Sequence, residues 1–385
     1  MFRKRKILHV FTIGTTPKAF FDGQFRFLYE TGYNIDLVTS PEDMSEFCKH
    51  NKVNYIPIEI SREISLRKDC HSVWTLLKLI RSKKYEMVVG HTPKGALLSM
   101  LAAFICNVKH RVYYRHGLVY TTATGLRRVI LKLAEQMTGL LATDIVNVSP
   151  SINQLAINHH LNSSKKQEVI GKGTCGGIDA DVLFNPQNIN YEDLENLKRA
   201  LNLTKDHFII GFCGRLCRDK GIGELIGGVE LFKNNHPNIK VVLLLVGPYD
   251  SRDILSPTIK NKISSTEYIK WVGRQPKDKL PLYYSLMDVF CLPSYREGFG
   301  MCVLEASAME IPILVSRSHG CVDSIIDGET GDYIDISAEG ICKGVETMLN
   351  NSDRKVMGKN GRQFVMENFD WTVMWPKIKD YYDSL

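Results

Sequence analysis

In the stretch SYREGFGMCVLE, Glu297 and Glu305 stand eight positions apart, with Gly298, Phe299 and Gly300 following the first acid. An apolar run at 288–293 precedes it and a helical pattern covers 299–309, so the glycines fall where the helix begins. Free backbone amides and the positive end of the helix dipole make such a place suited to a phosphate or sugar oxygen. Glu297 is predicted on the turn. Glu305, further along the helix, is placed to accept hydrogen bonds from a diol elsewhere on the same extended ligand.

A second cluster, GFCGRLCRDKG, puts Arg215 and Lys220 between the apolar run 207–213 and a helical segment from 222. Two cations on a strand-to-helix loop can clamp the oxygens of a diphosphate, and Gly214 and Gly221 let that loop approach closely. Near the start of the chain, Gly14 follows the run 7–13 and makes a turn with no side chain to obstruct a phosphate. His91 and His116 each end a β-like run, where either could touch a sugar.

These positions need elements to hold them. Runs at 7–13, 34–39, 87–90, 111–114 and 144–148 read as strands separated by helix-length segments. The rhythm restarts at 207–213, 241–246, 269–272, 289–292 and 313–315. The chain therefore reads as α/β, with two consecutive doubly wound, Rossmann-like sheets facing across a cleft. The Gly- and Asn-rich segment 171–190 marks the boundary and a hinge, and 194–203 a helix leading into the second domain. The expected division is 1–175 and 176–365, with a last helical segment at 366–385.

Composition narrows the class. With 385 residues, of which 44% are hydrophobic, the chain buries a large core. No run is long enough for a membrane span, and the basic start leads to no cleavage site. Ten cysteines without paired spacing point to a reducing cytoplasm, not a disulfide framework or a zinc site. HExxH, a Walker A loop and a Gly-x-Ser-x-Gly elbow are absent, and Cys175 reads as a packed hinge residue. With no carboxylate pair for Mg²⁺, Arg215 and Lys220 are expected to neutralise a diphosphate without metal, and no other cofactor is indicated.

Charge is uneven. Residues 1–170 carry 24 Lys and Arg against 13 Asp and Glu, while 171–385 carry 25 against 29. A basic first half fits an anionic membrane surface or a diphosphate-bearing acceptor. Nucleic acid is not expected, because the aromatics do not interleave with the basic runs. Segment 126–141 has apolar residues at 126, 129, 130, 133, 137, 140 and 141, with Arg127, Arg128 and Lys132 beside them. Two readings stand: the helix lies on a bilayer, or it packs its apolar face into the core, the commoner outcome.

The segment SYREGFGMCVLEASAMEIPILVS resembles the E-x7-E region of the retaining glycosyltransferases of family 4, and GFCGRLCRDKG resembles their G-R-L-x-x-x-K-G loop. The likeness extends to the opening strand and Gly14, to His116-Gly117, to Gly176-Gly-Ile-Asp179, to DGETGDYI at 327–334 and to the last helix. It implies a GT-B fold, with 1–175 on the acceptor side, a nucleotide-sugar donor held mainly by the second domain at 176–365, and the last helix at 366–385 crossing back to the first domain. Carried over, Arg215 and Lys220 would bind the donor diphosphate and Glu305 the ribose hydroxyls. Glu297, with the amides of Phe299 and Gly300, would hold the transferred sugar, while Gly14 approaches the diphosphate and His116 the sugar. Asp323 stands where the family usually has glutamate, and Gly14 where it often has a glycine pair. The acceptor implied is a glycan or lipid-linked glycan, the setting cytoplasmic and peripheral to the inner membrane face. The alternatives are a sugar-nucleotide 2-epimerase and a catalytically silent sugar-nucleotide binder on the same fold.

Overall fold

Short β-branched and aliphatic runs, apolar on both faces, form strands covered by helices on either side. In β1 (Arg5–Val10), Ile7, Leu8 and Val10 are all fully buried although they point alternately to opposite faces. This computed structural model describes residues 4–63 and 65–385; of the basic start, residues 1–3 lie outside them.

The chain forms two compact units, one of the residues up to Gly177 together with Trp371–Leu385, the other Ile178–Asp370. The first holds β1, β2 (Tyr33–Thr39), β3 (Asn54–Pro57), β4 (Met87–His91), β5 (His110–Arg115), β6 (Asp144–Asn147) and β7 (Gln167–Glu168). They form one parallel sheet in the order β3-β2-β1-β4-β5-β6-β7. The second unit holds β8 (His207–Cys213), β9 (Lys240–Val246), β10 (Ile269–Trp271), β11 (Val289–Leu292), β12 (Ile313–Ser316) and β13 (Gly331–Ile334). Its parallel order is β10-β9-β8-β11-β12-β13. Three strands go beyond those read from the sequence: β3, β7 and β13. β3 is short and partly exposed. β13 opens on Gly331, which reads as a turn residue but is there because a Cβ would lie 2.6 Å from the Ile313 carbonyl oxygen.

The helix Trp371–Ser384 belongs to the first unit, where Met374, Ile378 and Tyr382 join Phe25, Leu28 and Tyr33 in one core. Trp375 Nε1 donates to the Gly176 carbonyl at 2.7 Å, and Arg5 donates to the Tyr382 carbonyl at 2.7 Å.

Core packing for the apolar face of 126–141 is overturned. The helix Gly125–Leu141 turns Leu126 (75% exposed), Val129, Ile130, Leu133, Met137 and Leu140 (69%) outward, and of the predicted stripe only Leu141 is buried. Its inward face is polar. Glu135 lies beneath it and takes hydrogen bonds from Tyr113 Oη at 2.8 and 2.9 Å and from Arg115 Nε at 3.2 Å. Arg115 is itself fully buried and donates further to Asn147, Gln167 and Asn162. Burial raises the Glu135 pKa, and Arg115 opposes that shift. A buried charge pair of this kind orients a helix only while both partners remain, because either one left alone is strongly unfavourable.

Candidate active site

In the second unit the strand order reverses between β8 and β11: the chain goes from β8 to β9 on one side, and β11 pairs on the other. Ligands of open α/β sheets bind at such a point, beyond the carboxyl ends of the strands. Two loops leave from there. One carries Arg215 and Lys220 after β8; the other carries Ser294 to Gly300 after β11.

The loops are stitched together. Tyr295 N donates to the Asp219 carbonyl at 2.8 Å, Ser294 Oγ to the same oxygen at 3.1 Å, and Arg296 to the Asp219 carboxylate at 2.7 Å. Gly221 has φ +67°, and a Cβ there would run into the Pro293 carbonyl, so this loop crossing requires glycine. Across the junction Lys220 Nζ pairs with the Glu297 carboxylate, with 14% and 12% of the two side chains exposed. Burial is the largest influence on the Lys220 pKa and pulls it down, but Glu297 together with the nearby Cys302 and Cys321 turns the net shift upward.

Arg215 is half exposed and pairs with Asp250 in the loop after β9. Burial favours protonation of Asp250, yet the amides of Asp253 and Arg252 and the Arg215 guanidinium hold its pKa down at about 2. Arg215 can therefore leave for an incoming anion without stranding Asp250, whose carboxylate keeps two amide donors.

The helix after β11 is Met301–Ala308, shorter than the sequence indicates, and Gly300 is its cap with φ +83°. Among the described residues, the amides of Phe299, Gly300, Met301 and Cys302 have no backbone acceptor, so they remain available to an oxygen-rich ligand. Phe299 is buried against Phe369 and anchors this turn. Glu305 receives the Tyr284 hydroxyl at 2.8 Å, and its pKa is raised by burial against the opposing pull of Lys277. Tyr284 was not predicted; it reads in the sequence as an ordinary helix residue. Gly320 was also not predicted. It has φ +83°, and a Cβ there would come within 2.7 Å of the carbonyl oxygens of Glu297 and Gly298. Asp323 lies in the turns between β12 and β13.

In the first unit, Gly14 caps the helix Thr15–Phe20 in right-handed backbone geometry, and its amide donates to the Glu42 carboxylate. An anion arriving there would displace Glu42. His116 directly follows β5 and is partly exposed. The reading of His91 as a direct sugar contact is corrected: it is fully buried between His9 and His116 and reaches no surface.

An arginine, a lysine and a glutamate stand at the switch point of a doubly wound sheet on a GT-B architecture, and the comparisons place the chain among glycosyltransferases. The pattern of "Glycosyl transferases group 1" matches residues 193–364, and that of "Glycosyl transferase 4-like" residues 9–146. The capsular polysaccharide biosynthesis glycosyltransferase CapM of Staphylococcus aureus is 30% identical over 99% of this chain and 98% of that protein. The UDP-Gal:alpha-D-GlcNAc-diphosphoundecaprenol alpha-1,3-galactosyltransferase of Escherichia coli is 24% identical over 93% and 91%. Among solved structures, Anabaena HepE in complex with UDP and glucose superimposes with a TM-score of 0.82, 17% identity, and coverage of 99% of this chain and 100% of that one. The chain belongs to the family 4 glycosyltransferases.

Proposed function

We propose that this protein is a retaining hexosyltransferase that moves a hexose or N-acetylhexosamine from a UDP-sugar to a glycan or lipid-linked acceptor in cell-surface polysaccharide synthesis. The observation that carries the reading is the Lys220–Glu297 pair, which joins a cation suited to the diphosphate with a carboxylate suited to sugar hydroxyls at one switch point. In this reading Arg215 and Lys220 hold the diphosphate, Glu305 the ribose hydroxyls, and Glu297 with Gly298 and the amides of Phe299 and Gly300 the transferred sugar. His116 meets a hydroxyl of that sugar, and Gly14 the diphosphate.

The bond from the anomeric carbon to the diphosphate oxygen breaks as the acceptor oxygen bonds on the same face. The acceptor's proton passes to the departing oxygen, and UDP leaves. No protein nucleophile takes part, and the two cations stabilise the charge that develops on the leaving group. A lipid-linked acceptor is supported by the likeness to the galactosyltransferase acting on a diphosphoundecaprenol. Among the described residues no helix is long and apolar enough to cross a membrane. The outward apolar face of Gly125–Leu141, beside Arg127 and Arg128, instead supports docking on the anionic inner face of the membrane from the cytoplasm.

Assaying the purified protein against UDP- and GDP-sugars, with and without a lipid-linked glycan acceptor and with and without EDTA, tests the reading. Slow release of UDP from one UDP-sugar, unchanged by EDTA and with the new linkage keeping the donor's anomeric configuration, is expected. Turnover that EDTA abolishes, an inverted product, or interconversion of 2-epimers without transfer would contradict it.

A further inference from the structure

Three histidines in the first unit form an unbroken chain, of which the proposed function uses only His116. His9 Nδ1 lies 3.0 Å from His91 Nε2, and His91 Nδ1 lies 3.0 Å from His116 Nε2. They come from β1, from the end of β4 and from just after β5, three strands adjacent in the sheet. His9 and His91 are fully buried, and His9 Nε2 has no hydrogen-bond partner among the described residues. The rings of Phe11, Phe21 and Phe25 pack around His9 and those of Phe11, Phe21 and Tyr114 around His91, while Tyr382 faces His9; none of these groups is acidic. Burial accordingly holds all three imidazoles neutral, with His9 lowered to about 3, His116 to about 4 and His91 well below its usual value.

A neutral imidazole carries one N–H and one lone pair. Both nitrogens of His91 are engaged, so it donates through one and accepts through the other. If it donates from Nδ1, His116 must accept at Nε2 and carry its proton on Nδ1, and His9 must donate from Nδ1. If it donates from Nε2, all three protons move to Nε2. Any mixture sets two lone pairs or two N–H groups against each other at 3.0 Å in a site without water-like screening.

We infer that His9, His91 and His116 are one coupled unit with a single shared tautomer, in which the two buried histidines are positioning residues that fix whether the outer Nδ1 of His116 donates or accepts. That nitrogen takes no protein partner among the described residues and His116 is partly exposed, so its proton inventory is what a ligand would meet. The consequence for sugar recognition rests on the reading of His116 under the proposed function; the coupling itself does not.

The test is a long-range ¹H–¹⁵N spectrum of the full chain labelled at histidine, with the three rings assigned from His9→Phe, His91→Phe and His116→Gln spectra. It needs no substrate, so a failure of the transferase reading leaves it intact. The wild type is expected to show all three rings in the same tautomer, each with one pyrrole-type and one pyridine-type nitrogen at neutral pH. Opposite tautomers within the trio, or a His91 averaging between both, would overturn the coupling. His91→Phe, whose ring keeps the stack on Phe11 seen at 4.1 Å, is expected to lose the fixed tautomer at His116 and give averaged nitrogen shifts. His116 unchanged in that variant would overturn the positioning role, and the wild-type spectrum decides the coupling even where the variant fails to fold.

Discussion

At the scale of single residues, Lys220 matters because its charge sits in a largely enclosed place opposite Glu297. Lys220→Ala is expected to lower turnover about a hundredfold, the usual loss for one stabiliser of a developing anion. The substitution also leaves the Glu297 carboxylate without its partner, which is a cost to folding and not to chemistry. Pairing Lys220→Ala with Glu297→Gln separates the two: the melting temperature should recover in the double variant while turnover stays low. Wild-type rates in Lys220→Ala would remove this residue from the site. Its position was legible because glycines and charges follow an apolar run at the end of a strand. The Tyr284 contact to Glu305 and the close approach at Gly320 were not, since each depends on neighbours far away in sequence.

At the scale of elements, the helix Gly125–Leu141 reverses the usual arrangement, with Glu135 inside and leucines outside. The sequence shows two faces clearly but not which one turns inward. That choice is made by Arg115 and Tyr113, about twenty residues earlier, which receive Glu135 in a buried polar network. Leu126→Glu with Leu133→Glu is expected to abolish co-sedimentation with vesicles containing anionic phospholipid while leaving the unfolding free energy within about 0.5 kcal/mol of wild type, since both side chains are exposed. Flotation of the wild type that does not respond to anionic lipid would count against membrane docking. The doubly wound sheets themselves were readable from the alternation of apolar runs and helical segments. β3, β7 and β13 were missed because all three are short edge strands: β7 is only two polar residues long, and β3 and β13 carry Asn, Pro or Gly, residues that also mark turns.

At the scale of the whole molecule, the buried histidines link stability to pH. Unfolded, each binds a proton below about 6.5; folded, burial keeps His9 neutral to about 3 and His116 to about 4. The unfolded state therefore binds more protons in this window, so stability is full above the unfolded value and falls as pH drops toward 4. The slope is roughly 1.4 kcal/mol per pH unit for each fully buried histidine. Urea unfolding followed by signals of the first unit between pH 7 and 5 should show this loss, with a shallower slope in His9→Phe; equal slopes would contradict it.

Under the proposed function, the second unit grips a nucleoside diphosphate through Arg215 and Lys220. Calorimetric titration of UDP into the wild type, Arg215→Ala and Lys220→Ala tests it most directly. Each substitution is expected to weaken UDP by about tenfold to a hundredfold, the worth of a hydrogen bond to a charged group, about 1.5–3 kcal/mol. UDP binding of equal affinity in all three proteins would contradict the claim.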